Sequence, residues 1–378
     1  MKFPSLFFMA KPIVLLADHY STAETRLHNG FLGAPGLELL RMLDEAGVIS
    51  LTTSDLDYIR RYWSNTDPQM LDMVWRLHPE VQRLHVFPFT PPENNEENLC
   101  GPKSTAIPGY SNLFKGANGF VQSKHAQHLH TLRDRLNRFD PNVVVALGNT
   151  ALWSLCGTTG VSKLRGTVRL STHTVGDFKV LITNHPNTVL RQYELRPITI
   201  IDLMKATREN ASPELLLPRR EIWIEPTLED IRYFHEHHIR GCDLLSVDIE
   251  TAGNSVTCIG FAPSRELAIV VPFYDDRKPN RSYWPSLSDE RSCWEIVRNI
   301  LLDRTILKLF QNGMYDIAFL WRSMGLKTYG AAEDTMLLHH ALQPESKKSL
   351  GLLGSLYTNE TAWKNEHKDQ VKSNKRDA

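Results

Sequence analysis

The first 207 residues alternate between two periodicities, and that alternation restricts the fold more than any other feature. Short runs of aliphatic and β-branched residues, Ile13 to Ala17, Leu84 to Phe87, Val143 to Leu147 and Val180 to Thr183, are separated by segments with helical spacing: Gly36 to Ala46, His125 to Phe139, Thr150 to Cys156 and Leu195 to Thr207. Strand and helix in turn predict an α/β fold with a largely parallel sheet and helices on its faces. Residues 90 to 119 form a Pro/Asn/Gly-rich loop, long enough to carry a function.

The pattern breaks at RENASPELLLPRR, residues 208 to 220, which holds two prolines, charge at both ends and no clear period. A chain of 378 residues exceeds one comfortable core, so two domains are expected, 1–212 and 213–378. Beyond the linker, Leu244 to Glu250, Cys258 to Ala262 and Leu267 to Pro272 predict a three-stranded meander. A helix around Cys293 to Leu302, a strand at Ile306 to Phe310 and a helix from Gly313 to Met324 stopped by Gly325 complete a mixed sheet.

With 43 Lys plus Arg against 43 Asp plus Glu there is no global basic field, so any nucleic-acid binding must use local patches. The cysteines, Cys100, Cys156, Cys242, Cys258 and Cys293, form no CxxC pair, which argues against a disulfide framework and against a zinc or iron–sulfur site. The opening MKFPSLFFMAK is short, interrupted by Pro4 and closed by Lys11, and reads as a strand or arm rather than a signal peptide. No run approaches the ~20 apolar residues of a membrane span. A cytoplasmic protein without membrane contact is expected.

Chemistry concentrates in LLSVDIET, Leu244 to Thr251. Alternation in a strand points Asp248 and Glu250 to one face and Val247 and Ile249 to the other. Two like charges side by side call for something positive between them, and a divalent cation is the usual answer. Asn312 reads as an N-cap with Asp316 on the same side of the first turn, Asp334 as the cap of the next helix, and Asp377 closes SNKRDA. Acids on separate elements can hold two cations ~4 Å apart for phosphodiester hydrolysis. The alternative is a nuclease-like fold in which Asp248 and Glu250 only cap or pair. His339 and His340 read as ordinary helix residues.

The stretch from DIETAG through NGMYDIAFL and EDTMLLHHALQPESKKSLGLLGSLYT to SNKRD resembles the 3′-to-5′ exonuclease domains of family A DNA polymerases, within the DnaQ-like superfamily. That resemblance implies an RNase H-like mixed sheet. It also implies Asp248, Glu250, Asp316 and Asp377 as ligands of two Mg²⁺ or Mn²⁺ ions, Asn312 beside the substrate, and DNA single strands or 3′ ends as substrate. Where the family places a Tyr or a His before the last acid, this chain has Ser373 and Lys372. Serine is a poor base at neutral pH.

The first half, in VLLADHYSTAETRLHNGFLGAPGLELL, DPNVVVALGNTALWSLCG and HPNTVLR, resembles the uracil-DNA glycosylase superfamily, especially family-4-like members of phages. The resemblance implies a three-layer α/β fold, His185 as electrostatic catalyst, an acid near Asp18 that activates water or stabilises the sugar cation, and Leu190 with Arg191 near DNA. It places Phe31 against a flipped base and His85 where the family reads uracil with an asparagine. ADHYS departs from the family's usual first motif, and with only Cys100 and Cys156 in this half no iron–sulfur cluster is expected. His125, His128 and His130 read as a solvated helix face. Together the halves suggest a DNA-processing protein of proofreading type that recognises uracil or another altered base, in replication or repair, with a separate polymerase chain as partner. The rivals are a non-catalytic replisome adaptor and the leading part of a split or truncated polymerase.

Overall fold

The computed structural model describes residues 11–173, 178–217, 219–358 and 360. They divide into two compact units: one takes in the residues up to Leu216 and those from Gly354 on, and the other runs from Leu217 to Leu353.

In the first unit the strands are β1 (Ile13–His19), β2 (Val81–Phe87), β3 (Cys100–Gly101), β4 (Phe120–Val121), β5 (Val143–Leu147), β6 (Val168–Leu170) and β7 (Lys179–Thr183). The helices are α1 (Thr22–Leu27), α2 (Ala34–Glu45), α3 (Thr53–Asn65), α4 (Pro68–Arg76), α5 (Ala126–Phe139), α6 (Asn149–Cys156), α7 (Val161–Leu164), α8 (Pro186–Arg191) and α9 (Arg196–Glu209). The main sheet has the order β2-β1-β5-β7-β6, parallel except for β6 at its edge.

Alternate residues of the central strands serve two different cores. Ile13, Leu15, Ala17, Val143 and Val145 join one cluster with α2 and α9, whereas Val14, Leu16, Val144 and Ala146 join another with α5 and α6. Strands buried on both faces need continuous apolar runs, and β5 (VVVAL) is buried at every position. The result is three layers. The chain leaves β1 for β2 on one side and later returns to β5 on the other, so β1 and β5 flank the switch point where open α/β sheets bind ligands, at their carboxyl ends. Behind the sheet, Asp202 on α9 accepts from Arg165 and from Thr183 Oγ1 at 2.7 Å, fully buried. Such a pair is costly to break from one side.

The second unit holds β8 (Glu221–Trp223), β9 (Leu244–Ala252), β10 (Ser255–Ala262), β11 (Leu267–Pro272), β12 (Leu307–Phe310) and β13 (Ala331–Asp334). Its helices are α10 (Leu228–Phe234), α11 (Leu287–Leu302), α12 (Gly313–Met324) and α13 (Thr335–Leu342); α14 (Leu350–Tyr357) spans the division at Gly354. The sheet order is β13-β12-β9-β10-β11-β8, with an antiparallel β9-β10-β11 meander, and β12, β13 and β8 paired parallel to their neighbours. On β9 the inward residues Leu245, Val247 and Ile249 enter the core with Ile231, Phe234, Val297 and Leu301. The fold is α/β in both units, and the second fits an RNase H-like sheet. No helix of the described residues is long and apolar enough to cross a membrane.

Several details differ from the sequence reading. The segment expected as a linker from residue 208 begins inside α9, which runs on to Glu209. Helices α3 and α4 were not anticipated, although Thr52 and Asp55 form a capping box in front of α3. His125 and His128 are half-buried rather than solvated, because Phe89 packs its ring 4.8 Å from His128 and 6.1 Å from His125. His130 is exposed as expected.

Candidate functional site

Asp248 and Glu250 project from the exposed face of β9, while Ile249 between them is buried. The backbone N–H of Ile249 donates to Asp316 Oδ1 at 3.1 Å, which ties the first turn of α12 to the strand between the two acids. Asp316 is buried, and burial together with the charges of Asp248 and Asp334 pushes its carboxyl up to about 6. A second tie joins Thr251 Oγ1 to Tyr315 Oη at 2.7 Å.

Asn312 occupies the position ahead of α12 but does not cap it. Its backbone is left-handed, φ 62°, and its side chain makes no cap hydrogen bond. Asp334 takes over that task from the next element: Oδ1 accepts from the N–H of Asn312 at 3.1 Å and Oδ2 from that of Gly313 at 2.8 Å. Oδ1 also accepts from Met336 N at 2.8 Å, so one carboxylate caps α13 and secures the start of α12. Asp334 therefore acts as a brace, as its place before TMLLHHAL suggests. His339 is buried with Nε2 against Ser346 Oγ at 2.5 Å, and His340 is exposed, both ordinary packing.

The metal expectation divides in the same way. Asp377, with Ser373 and Lys372, lies outside the described residues. Among the described residues no three His, Cys, Asp or Glu side chains converge closely enough to hold a metal ion. The donor chemistry of Asp248, Glu250 and Asp316 nevertheless fits a hard divalent cation, being oxygen only. The Asp316 carboxyl is raised first by burial and then by the neighbouring charges of Asp248 and Asp334, and a cation would offset both.

In the first unit Asp18, His85 and His185, with Phe31 against His85, gather near the carboxyl ends of β1, β2 and β7. Asp18 Oδ1 lies 3.3 Å from His185 Nε2. The N–H of Asn187 is directed at His185 Nδ1 at 3.1 Å, which places the ring proton on Nε2, facing Asp18. Burial raises the Asp18 carboxyl, but the charge and hydrogen bond of His185 outweigh it and leave Asp18 below the usual carboxylate range. Burial lowers His185, and Asp18 outweighs it in the other direction. Gly148, φ 93°, lets the turn after β5 approach His185, where an added Cβ would lie 3.1 Å from the His185 Cβ.

Phe31 is enclosed rather than presented to solvent. Its ring packs 4.8 Å from His85 and 6.0 Å from Trp75, and only 3% of it is exposed. His85 is equally buried, with Tyr20 edge-on at 4.7 Å, and burial pulls its pKa down to about 3, so the ring is neutral. An added Cβ on Gly30 would strike that ring at 2.0 Å. Leu190 and Arg191, on α8, are exposed beside His185 in sequence. Sequence reading missed Glu96, whose Oε2 accepts from Thr150 Oγ1 at 2.7 Å. The signal was present, since Glu96 sits in the long loop already suspected of a role.

Residues 227–378 match a family model described as 3′-5′ exonuclease. This part of the chain carries a 3′–5′ exonuclease domain. The match includes β9, α12 and α13 with their acids and takes in no strand of the first unit's sheet. The comparison with curated proteins gives no match. Among solved structures, Trypanosoma brucei RNase D in complex with RNA U12 is 17% identical with a TM-score of 0.29, covering 38% of this chain and 48% of that one. Brucella melitensis NrnC with bound Mg²⁺ is 18% identical, TM-score 0.25, covering 39% and 64%. Escherichia coli RNase D is 15% identical, TM-score 0.28, covering 38% and 34%. The chain thus spans about half the length of the first of these, 48%.

The brace yields a direct test. Asp334→Ala strips the acceptor from four N–H groups, those of Asn312, Gly313, Met336 and Leu337. We expect urea unfolding of the second unit to show a loss of about 1–3 kcal/mol. A loss below about 0.5 kcal/mol, the size of an ordinary surface change, would contradict the bracing role.

Proposed function

We propose that residues 227–378 form a metal-dependent 3′-to-5′ exonuclease of proofreading type acting on DNA 3′ ends, with Asp248, Glu250, Asp316 and Asp377 holding Mg²⁺ or Mn²⁺. The observation that carries the reading is the hydrogen bond from Ile249 N–H to Asp316, which holds a buried, raised carboxyl beside two acids on one strand face. When bound, a divalent cation stabilises charge on the phosphodiester oxygens and lowers the pKa of a bound water. The chain's own part is positional. β9 sets the spacing of Asp248 and Glu250, α12 delivers Asp316, and Asp334 secures the turn that starts α12. Tyr315, half-exposed and tied to Thr251, offers a ring beside Asp316 on which a terminal base can stack. A separate polymerase chain that presents the 3′ end is the partner this reading favours.

A second reading concerns the first unit and rests on the Asp18–His185 pair at the sheet's switch point: recognition, and excision, of uracil or another altered base. Asp18 is the ionised acid that takes a proton from water, and His185, whose Nε2 faces Asp18, is the electrostatic catalyst beside the departing base. The enclosed Phe31 and neutral His85 form the apolar wall behind them. Base excision and exonuclease action then belong to one DNA-processing chain. A non-catalytic adaptor keeps the same grooves without either reaction.

End-labelled single-stranded DNA with Mn²⁺ tests the first reading. Stepwise shortening from the 3′ end, lost with EDTA and reduced roughly a hundredfold or more in Asp248→Ala, is the expected result. Equal shortening by that variant would overturn it. For the second, uracil-containing DNA should acquire alkali-labile abasic sites, fewer by roughly a hundredfold in His185→Ala. DNA binding with no abasic site from any altered base would favour the adaptor.

A further inference from the structure

Two carboxyl groups stand at the same edge of the first unit's sheet, and the fold treats them oppositely. Asp18, at the end of β1, faces His185 and is held ionised. Glu96, on the 3-10 turn Glu96–Leu99, reaches the same edge, where Thr150 in the first turn of α6 donates to its Oε2 at 2.7 Å. Its other oxygen, Oε1, is buried and has no hydrogen-bond partner among the described residues. A buried carboxyl oxygen without a partner is costly. Two acids in such different settings at one site are the arrangement that separates an acid from a base.

We propose that Glu96 is the proton donor to the departing base in the first unit's site, an inference that rests on the base-excision reading. The groups around Glu96 all bear on its protonation. Burial disfavours its charge, and the Asp18 carboxylate on β1 adds to that. The Thr150 hydrogen bond and His185 after β7 oppose them, and the balance pushes Glu96 up to about 8. Cys100 on β3 and the adjoining Glu97 complete the surroundings. The Cys100 thiol is itself pushed up to about 11, by burial and then by Glu96 and Glu97, so it adds no charge at neutral pH. Because Oε2 is engaged as an acceptor by Thr150, the proton belongs on Oε1, the atom with no partner. A nucleobase ring nitrogen or keto oxygen is the acceptor that Oε1 lacks.

The step balances with water as the only co-reactant. The water oxygen bonds to the sugar C1′ and its proton passes to Asp18. The C1′–N bond breaks with its electron pair going to the base, which receives the Glu96 proton and leaves neutral. Solvent then returns a proton to Glu96 and removes one from Asp18. A donor at this position lowers the barrier to release of either uracil or hypoxanthine as the neutral base.

The test is the rate of abasic-site formation in single strands bearing uracil or hypoxanthine, followed from about pH 5 to 10 with wild type, Glu96→Gln, Glu96→Asp and His185→Ala. A donor must be protonated to act, so the wild-type rate should fall as pH rises through about 8. Glu96→Gln should be slower by roughly a hundredfold and should lack that basic limb, while Glu96→Asp keeps a limb. A Gln variant with the wild-type rate, or one that is slow but retains the limb, overturns the proton-donor role while leaving base excision intact, provided His185→Ala is still inactive. A wild type that forms no abasic site on either base overturns the base-excision reading, and this inference with it. Equal melting temperatures of wild type and Glu96→Gln separate lost chemistry from lost folding.

Discussion

A single backbone hydrogen bond organises the second unit: Ile249 N–H, in the middle of β9, donates to the Asp316 carboxylate at the start of α12. Everything around it follows from strand geometry. Ile249 must face the core, so its neighbours Asp248 and Glu250 must face away, and the bond that reaches between them brings a third acid to the same strand. The cost is electrostatic and visible in the raised Asp316 carboxyl. The Asp334 charge adds to that cost, while its carboxylate secures the left-handed turn at Asn312 from which α12 begins.

The first unit reaches its site by a different route. Its central strands β1, β5 and β7 are largely apolar and buried on both faces over most of their length. The site groups lie toward the strand ends: Asp18 near the end of β1, His85 in the second half of β2 and His185 just after β7, with Gly148 letting the turn after β5 come close to His185. The sheet order places β1 beside β5 at the switch point, so groups far apart in sequence meet there. Opposite-charge pairing keeps Asp18 ionised, and burial keeps His85 neutral and Glu96 protonated. One edge of one sheet thus holds an ionised carboxylate, a neutral carboxyl and a neutral imidazole.

Much of this was legible in the sequence because it rests on periodicity. The strands Val143–Leu147 and Leu267–Pro272 and the helix Gly313–Met324 fall where their patterns put them, and period-two alternation alone indicated the shared face of Asp248 and Glu250. What escaped depends on contacts between distant segments. Edge strands β6 and β8 have three residues each, too few to show a period, and are defined by their partners. Asn312 has the right residue type for a cap, but Asp334, 22 residues away, supplies the bonds. Phe31, which the resemblance sets against a flipped base, is instead enclosed by Trp75 and His85, distant in sequence. The raised Glu96 depends on burial by distant segments and then on Asp18, which no local pattern connects to it.

The central claim is that the acids on β9 and α12 are held together as a cation site, and binding tests it without reference to turnover. Isothermal titration of the full chain with Mn²⁺ should show saturable binding, abolished in Asp248→Asn with the fold intact by circular dichroism. Binding unchanged in Asp248→Asn, or no binding by the wild-type chain, would contradict the account.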